Sequence, residues 1–124
     1  MNNYLLVFLG GGLGSVARYG VSVWVRNQFT SAFPWATLTA NTLSSLILGI
    51  LLGHFAQRQD NYSPLLLLLS VGFCGGFSTF SAFSAETFEF IRNGVWSYAL
   101  GNILVNIIGC LLMIGFGTWL ARLW

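Results

Sequence analysis

Residues 72–83 read GFCGGFSTFSAF, a run with three glycines, two serines, one threonine and four phenylalanines, lying between two stretches apolar enough for lipid. A continuous lipid-facing helix has no use for that mixture, because hydrocarbon offers no partner to freed backbone groups or hydroxyls. The run therefore marks a place where backbone and small hydroxyls are held out for a ligand. Gly72, Gly75 and Gly76 are where the chain most readily leaves helical geometry. An unwound turn there frees carbonyls that must find a cation, water or a protein donor, as the broken helices of transporters do. Phe80 and Phe83 follow three residues apart, so on a resumed helix both rings share a face. Their electropositive edges can lie against an anion, although an aromatic packing stripe accounts for the same spacing.

The chain that must position these residues has 124 of them, 56% hydrophobic and only 6% charged. Such a composition cannot clothe a soluble domain and implies an integral membrane protein. Five arginines, no lysine, Asp60, Glu86 and Glu89 make up the charge, too sparse and scattered for a nucleic-acid footprint. Cys74 and Cys110 lie in apolar segments without C-x-x-C spacing or a neighbouring histidine, which argues against a disulfide framework or zinc site and for packing or pore-lining thiols. His54 sits at a span end with no paired nucleophile or metal partner, so an enzyme is the weakest reading. The GGGLG run beginning at Gly10 follows no strand and belongs to no βαβ unit, so it is not a dinucleotide fingerprint. The N-terminus lacks the basic segment of a cleaved signal and is expected to stay as the first span.

At about 20 residues per crossing, the pattern predicts an all-α protein with four transmembrane helices, residues 4–25, 36–55, 65–91 and 96–120, forming a single membrane domain over residues 1–124. Tryptophans 24, 35, 96, 119 and 124 fall near the span ends as interfacial anchors. The third span holds 27 residues and would extend about 40 Å as one helix, beyond the ~30 Å hydrocarbon core, so a break in it is expected. Four spans place Arg58 and Arg122 on one side and Arg26 and Arg92 on the other. That balance predicts insertion both ways up and pairing with an inverted copy; a weakly biased single topology is the alternative.

Polar residues recur where lipid should not see them. Tyr98, Asn102, Asn106 and Cys110 are spaced by four along the last span, and Thr37, Asn41, Ser44 and Ser45 cluster in the second. Either stripe serves as interhelical hydrogen-bonding glue or as a wet pathway. Gly10 with Gly14 and Gly49 with Gly53 are small-xxx-small pairs that let helices approach closely.

Over its whole length the chain resembles the Fluc or CrcB family of small fluoride channels. The features that carry the resemblance are the glycine-rich segment before Arg18, TLTAN ending at Asn41 and, above all, GFCGGFSTFSAF. The resemblance implies an antiparallel, dual-topology homodimer in the bacterial plasma (inner) membrane, with two pores along the dimer interface passing fluoride downhill out of the cell. By position, Phe80 and Phe83 resemble the family's pore phenylalanines and Asn41 its amide donor. Ser81 and Ser84 continue a hydroxyl track, with Asn106 on the path. Carbonyls of Gly75 and Ser78, from both subunits, resemble a central sodium site. Arg18 and Glu86 resemble vestibule residues, Glu86 being open equally to an ion pair with Arg92. Asn102, Asn106 and Cys110 depart from the hydroxyl residues expected of much of the family, and Ser78 stands where threonine is favoured.

Fluoride is small and holds its water tightly, so donors must replace that water at every step. Serial weak donors let an ion in without trapping it. No titratable group is needed on such a path, which favours a channel over a pump. A small dual-topology drug exporter needs a membrane-embedded carboxylate, and the first span has none. A non-conducting membrane subunit would use the polar stripes as glue alone.

Overall fold

The computed structural model describes residues 2–58 and 63–123. Asp60 and Trp124, expected in a loop and at a span end, lie outside the described residues. Helix α1 is Asn3–Gln28 and α2 is Trp35–Arg58. Helix α3 covers residues 64–77 as Pro64–Leu66, the wider π-helical turns of Leu67–Cys74, and Gly75–Phe77. Helices α4, Phe80–Arg92, and α5, Trp96–Ala121, complete the chain.

Local chemistry sets the boundaries. Asn2 Oδ1 accepts the Tyr4 N–H at 3.1 Å and caps α1. Pro64 opens α3, where its missing N–H costs nothing. Gly94, with φ 75°, takes the left-handed turn between α4 and α5. The segments Asn3–Gln28, Trp35–Ala56, Pro64–Arg92 and Trp96–Ala121 are each long and apolar enough to cross a bilayer, close to the predicted spans. The protein is an all-helical integral membrane protein in its described residues, and exposed apolar side chains such as Phe8, Leu13, Leu111 and Leu112 meet the lipid or a partner. Trp24, Trp35, Trp96 and Trp119 are exposed near helix ends, as interfacial anchors require.

Two close helix pairs make the frame: α2 lies along α5, and α1 along α3. Glycine makes both possible. A Cβ added at Gly10, Gly14 or Gly76 would run into main-chain atoms of the facing helix, and the same holds for Gly49 and Gly117 between α2 and α5. Without a hydrophobic drive between helices in lipid, this backbone contact supplies the packing.

The sequence assigned the loss of helical geometry in the third span to Gly72, Gly75 and Gly76. All three lie in helical segments; Gly72 and Gly76 instead meet Gly10 and Gly11 of α1. The extended residues come just after them: Ser78 has φ −78°, ψ 160° and Thr79 has φ −150°, ψ 110°. Gly72 and Gly76 serve close approach, and hydrogen bonds from Asn41 of α2 hold Thr79 extended.

Candidate functional site

Helix α2 grips Thr79 through Asn41 and the Cys74 carbonyl through Ser44, one turn apart on one face. The Ser44 hydroxyl donates to the Cys74 carbonyl at 2.9 Å, and the same oxygen accepts the Ser78 N–H and the Ser78 hydroxyl, both at 3.0 Å. Asn41 Oδ1 accepts the Thr79 N–H at 2.8 Å, while Asn41 Nδ2 donates at 3.4 Å to the Thr79 carbonyl. Thr79 then caps α4, its Oγ1 accepting the Ala82 N–H at 3.2 Å. Asn41, Ser44 and Thr79 are all buried.

From this point a chain of hydrogen bonds runs through the protein in one direction. A backbone N–H can only donate, so Thr79 fixes which way the Asn41 carboxamide faces. Asn41 Nδ2 donates to Asn106 Oδ1 at 3.2 Å, Asn106 Nδ2 to Asn102 Oδ1 at 2.8 Å, and Asn102 Nδ2 to Thr87 Oγ1 at 2.9 Å. The Thr87 hydroxyl ends the chain on the Phe83 carbonyl at 2.8 Å. Bonds aligned this way polarise one another, and burial makes each costly to lose. Asn102 is 0% exposed, so Asn102→Leu removes two buried hydrogen bonds, leaving Asn106 Nδ2 its 3.1 Å bond to the main-chain carbonyl of residue 102 and Thr87 its bond to Phe83. The expected loss is about 1–3 kcal/mol in denaturant unfolding of the solubilised protein, about 0.5–1.5 for each of the two hydrogen bonds removed. A loss under about 0.5 kcal/mol, the usual surface value, would remove the chain as a structural element.

The two stripes read from the sequence therefore converge on one network, joined by Thr79 and Thr87, which the sequence reading did not single out. Thr79 carried a usable signal, a hydroxyl residue just before a resumed apolar helix; Thr87 carried none. Tyr98 leaves the stripe for a ring cluster, its centroid 5.5 Å from Phe90 and 6.4 Å from Phe33. Cys110 is a half-buried free thiol.

The remaining expected site residues spread over three neighbouring places. Phe80 is 78% exposed and turned outward, Phe83 is half-buried, and their ring centroids stand 5.6 Å apart at 48°. Ser81 is exposed with its hydroxyl 3.2 Å from Thr79 Oγ1, and Ser84 is half-buried three residues on. Gly75 is exposed with open space where a Cβ would stand, and Ser78 is half-buried.

Arg18 and Glu86 share a polar cavity of about 260 Å³ with Ser15, Arg26, Thr37 and Thr79. Thr37 donates to Glu86 Oε1 at 2.6 Å, whereas Glu86 Oε2 is buried with no hydrogen-bond partner among the described residues. The ion pair of Glu86 with Arg92 does not form; Arg92 pairs with Glu89 at 2.8 Å on an exposed face.

Comparison with known proteins gives a consistent picture. The family model described as "CrcB-like protein, Camphor Resistance (CrcB)" matches residues 5–118. A relative from Phocaeicola vulgatus is 35% identical over 126 residues, covering 98% of this chain and all of its own length. One from Sorangium cellulosum is 39% identical over 123 residues, covering 98% and 96%. A third, from Enterobacter sp., is 44% identical over 117 residues, covering 94% and 91%. Each of these relatives is named fluoride-specific ion channel FluC.

Proposed function

Because the chain belongs to the CrcB-like protein family, a family of ion channels and not of enzymes, we propose that it is a passive, fluoride-selective channel. It lets fluoride leave the cytoplasm across the bacterial plasma membrane, as an antiparallel homodimer of single four-helix membrane domains with two pores. The observation that carries this reading is the buried one-way amide chain, anchored on the peptide from which Phe80 and Phe83 resume the helix.

The residues divide the work by type. Arg18 and Arg26 give the cavity a positive balance over Glu86, which concentrates anions beside Thr79. Beyond it, ring edges of Phe80 and Phe83, the hydroxyls of Ser81 and Ser84, and the amides of Asn41 and Asn106 replace fluoride's water in turn. Asn41 has both amide hydrogens engaged, so it donates to an anion by releasing its longest bond, the 3.4 Å contact to the Thr79 carbonyl. Chloride, larger and more weakly hydrated, gains less from such small, hard donors.

Support for the inverted partner comes from the arginines, two on each side of the membrane, and from the outward face of Phe80. Gly75 and Ser78 fit a sodium ion at the two-fold axis. Gly75 is exposed with open space where a Cβ would stand, it lies in the last turn of α3, where the helix dipole is negative, and backbone carbonyls are hard oxygen ligands. When bound, sodium supplies a buried positive charge that favours anions nearby.

In liposomes containing the purified protein, internal fluoride is expected to appear outside at a rate far above that of protein-free vesicles, with chloride efflux at the background level. A fluoride electrode and a chloride electrode read the two directly. Fluoride release no faster than from empty vesicles would sink the channel reading.

A further inference from the structure

In an unbroken helix the Thr79 N–H would close on the Gly75 carbonyl, and the Ala82 N–H on the Ser78 carbonyl. Both donors are diverted. The Thr79 N–H goes to Asn41 Oδ1 at 2.8 Å, and the Ala82 N–H goes to Thr79 Oγ1 at 3.2 Å. The carbonyls that lose their helical partners at the break thus include those of Gly75 and Ser78. Ser44 and Ser78 meanwhile saturate the preceding Cys74 carbonyl with three donors. The cation seat is therefore made by side chains that take donors away from it.

We infer that Asn41 and Thr79 are the positioning residues of the cation seat, and that Asn41 couples the two ion sites. Its carboxamide oxygen keeps the Gly75 carbonyl free, while its amide nitrogen begins the chain of donors through Asn106. An anion that draws Asn41 Nδ2 away from Thr79 tugs on the same side chain that holds the Thr79 peptide. Cation affinity and anion passage share one hinge. The inference rests on the proposed sodium reading of Gly75 and Ser78.

The distinguishing variants follow from what each atom does. Asn41→Ala removes the acceptor and lets the Thr79 N–H return to Gly75. Thr79→Val keeps the shape and lets the Ala82 N–H return to Ser78. Asn41→Asp keeps the acceptor and loses only the amide donor. The measurement is the unfolding temperature of the detergent-solubilised full-length dimer over a sodium chloride titration, against N-methylglucamine chloride at equal ionic strength. A ligand that binds only the folded protein raises that temperature as its concentration passes its dissociation constant.

The wild type is expected to gain stability specifically with sodium. Asn41→Ala and Thr79→Val are expected to need about tenfold more sodium for the same gain, the equivalent of one buried hydrogen bond, and Asn41→Asp to respond at the wild-type concentration or below. A cap with a purely structural role would lower the unfolding temperature equally in both salts and leave the sodium midpoint in place. That outcome overturns the inference while sparing the sodium site. A wild type indifferent to sodium overturns the sodium site, and the inference with it. Where Asn41→Ala yields no folded dimer, the sodium midpoint of Thr79→Val decides.

Discussion

Replacing either phenylalanine at the resumption of the helix, Phe80→Ile or Phe83→Ile, is expected to cut fluoride flux by about tenfold or more while the proposed dimer stays assembled. Isoleucine keeps apolar bulk but has no electropositive ring edge. On the proposed path, fluoride stripped of water here would lose a ring-edge contact worth up to about 1.5 kcal/mol, the scale of aromatic-edge interactions. Loss of one such contact raises the barrier by about 1.4 kcal/mol, which is a factor of about ten. Phe80 is largely exposed in its own chain, so its removal leaves the fold of the subunit intact. Liposome efflux with a fluoride electrode gives the rate, and cross-linking or size-exclusion chromatography gives the assembly. Wild-type flux in both variants would return the rings to a packing role.

The largest stability effect is expected at Gly14. A Cβ there strikes the Phe73 carbonyl oxygen and comes within 2.8 Å of the Phe77 nitrogen, both main-chain atoms of α3. Main chain cannot swing aside as a side-chain tip does, so Gly14→Ala must part α1 from α3 one turn before Ser78 and Thr79. Overpacking of a rigid contact costs about 3 kcal/mol or more. Gly14→Val adds the branched carbons to the same collision and is expected to abolish both assembly and flux. Gly12→Ala and Gly20→Ala, on the same helix with nothing within 4 Å, are expected to fold and conduct like the wild type. Sensitivity at Gly12 equal to that at Gly14 would mean that glycine acts through helix propensity alone and not through close approach. Tests of thermal unfolding in detergent and of expression in the membrane separate the four variants.

The fold was legible wherever a periodic or compositional signal is strong. Four apolar stretches of bilayer length came through with boundaries within a few residues, because the hydrocarbon thickness leaves little choice of length. Gly10 with Gly14 and Gly49 with Gly53 were read as close-approach pairs and lie against facing backbone or side chains. The site was legible by residue type and less so by role. Asn41 and Asn106 stood out as amides in lipid-depth helices, and they meet at 3.2 Å. The direction of their hydrogen bonds, and the fact that Asn41 spends its oxygen on the Thr79 backbone, depend on contacts 38 residues apart in sequence. No local pattern encodes those. Glu86 was open to Arg92 as a helix-end ion pair, yet Arg92 pairs with Glu89, three residues away on the same helix, and the Glu86 carboxylate points inward to Thr37.

By itself the sequence determined that this is a membrane protein with four helices of bilayer length, and it singled out the GFCGGFSTFSAF run as the stretch whose residue types suit ligand chemistry. Composition excluded a water-clad surface, and glycines, hydroxyls and phenyl rings at membrane depth have few other uses. Only the tertiary structure decided where helical geometry gives way. Glycine permits a break without requiring one, so Gly72, Gly75 and Gly76 stayed helical while Ser78 and Thr79 became extended. The physical reason is competition for donors: a helix stays closed unless another acceptor takes its N–H, and Asn41, brought in by α2 packing, lies within 2.8 Å of Thr79 to do so.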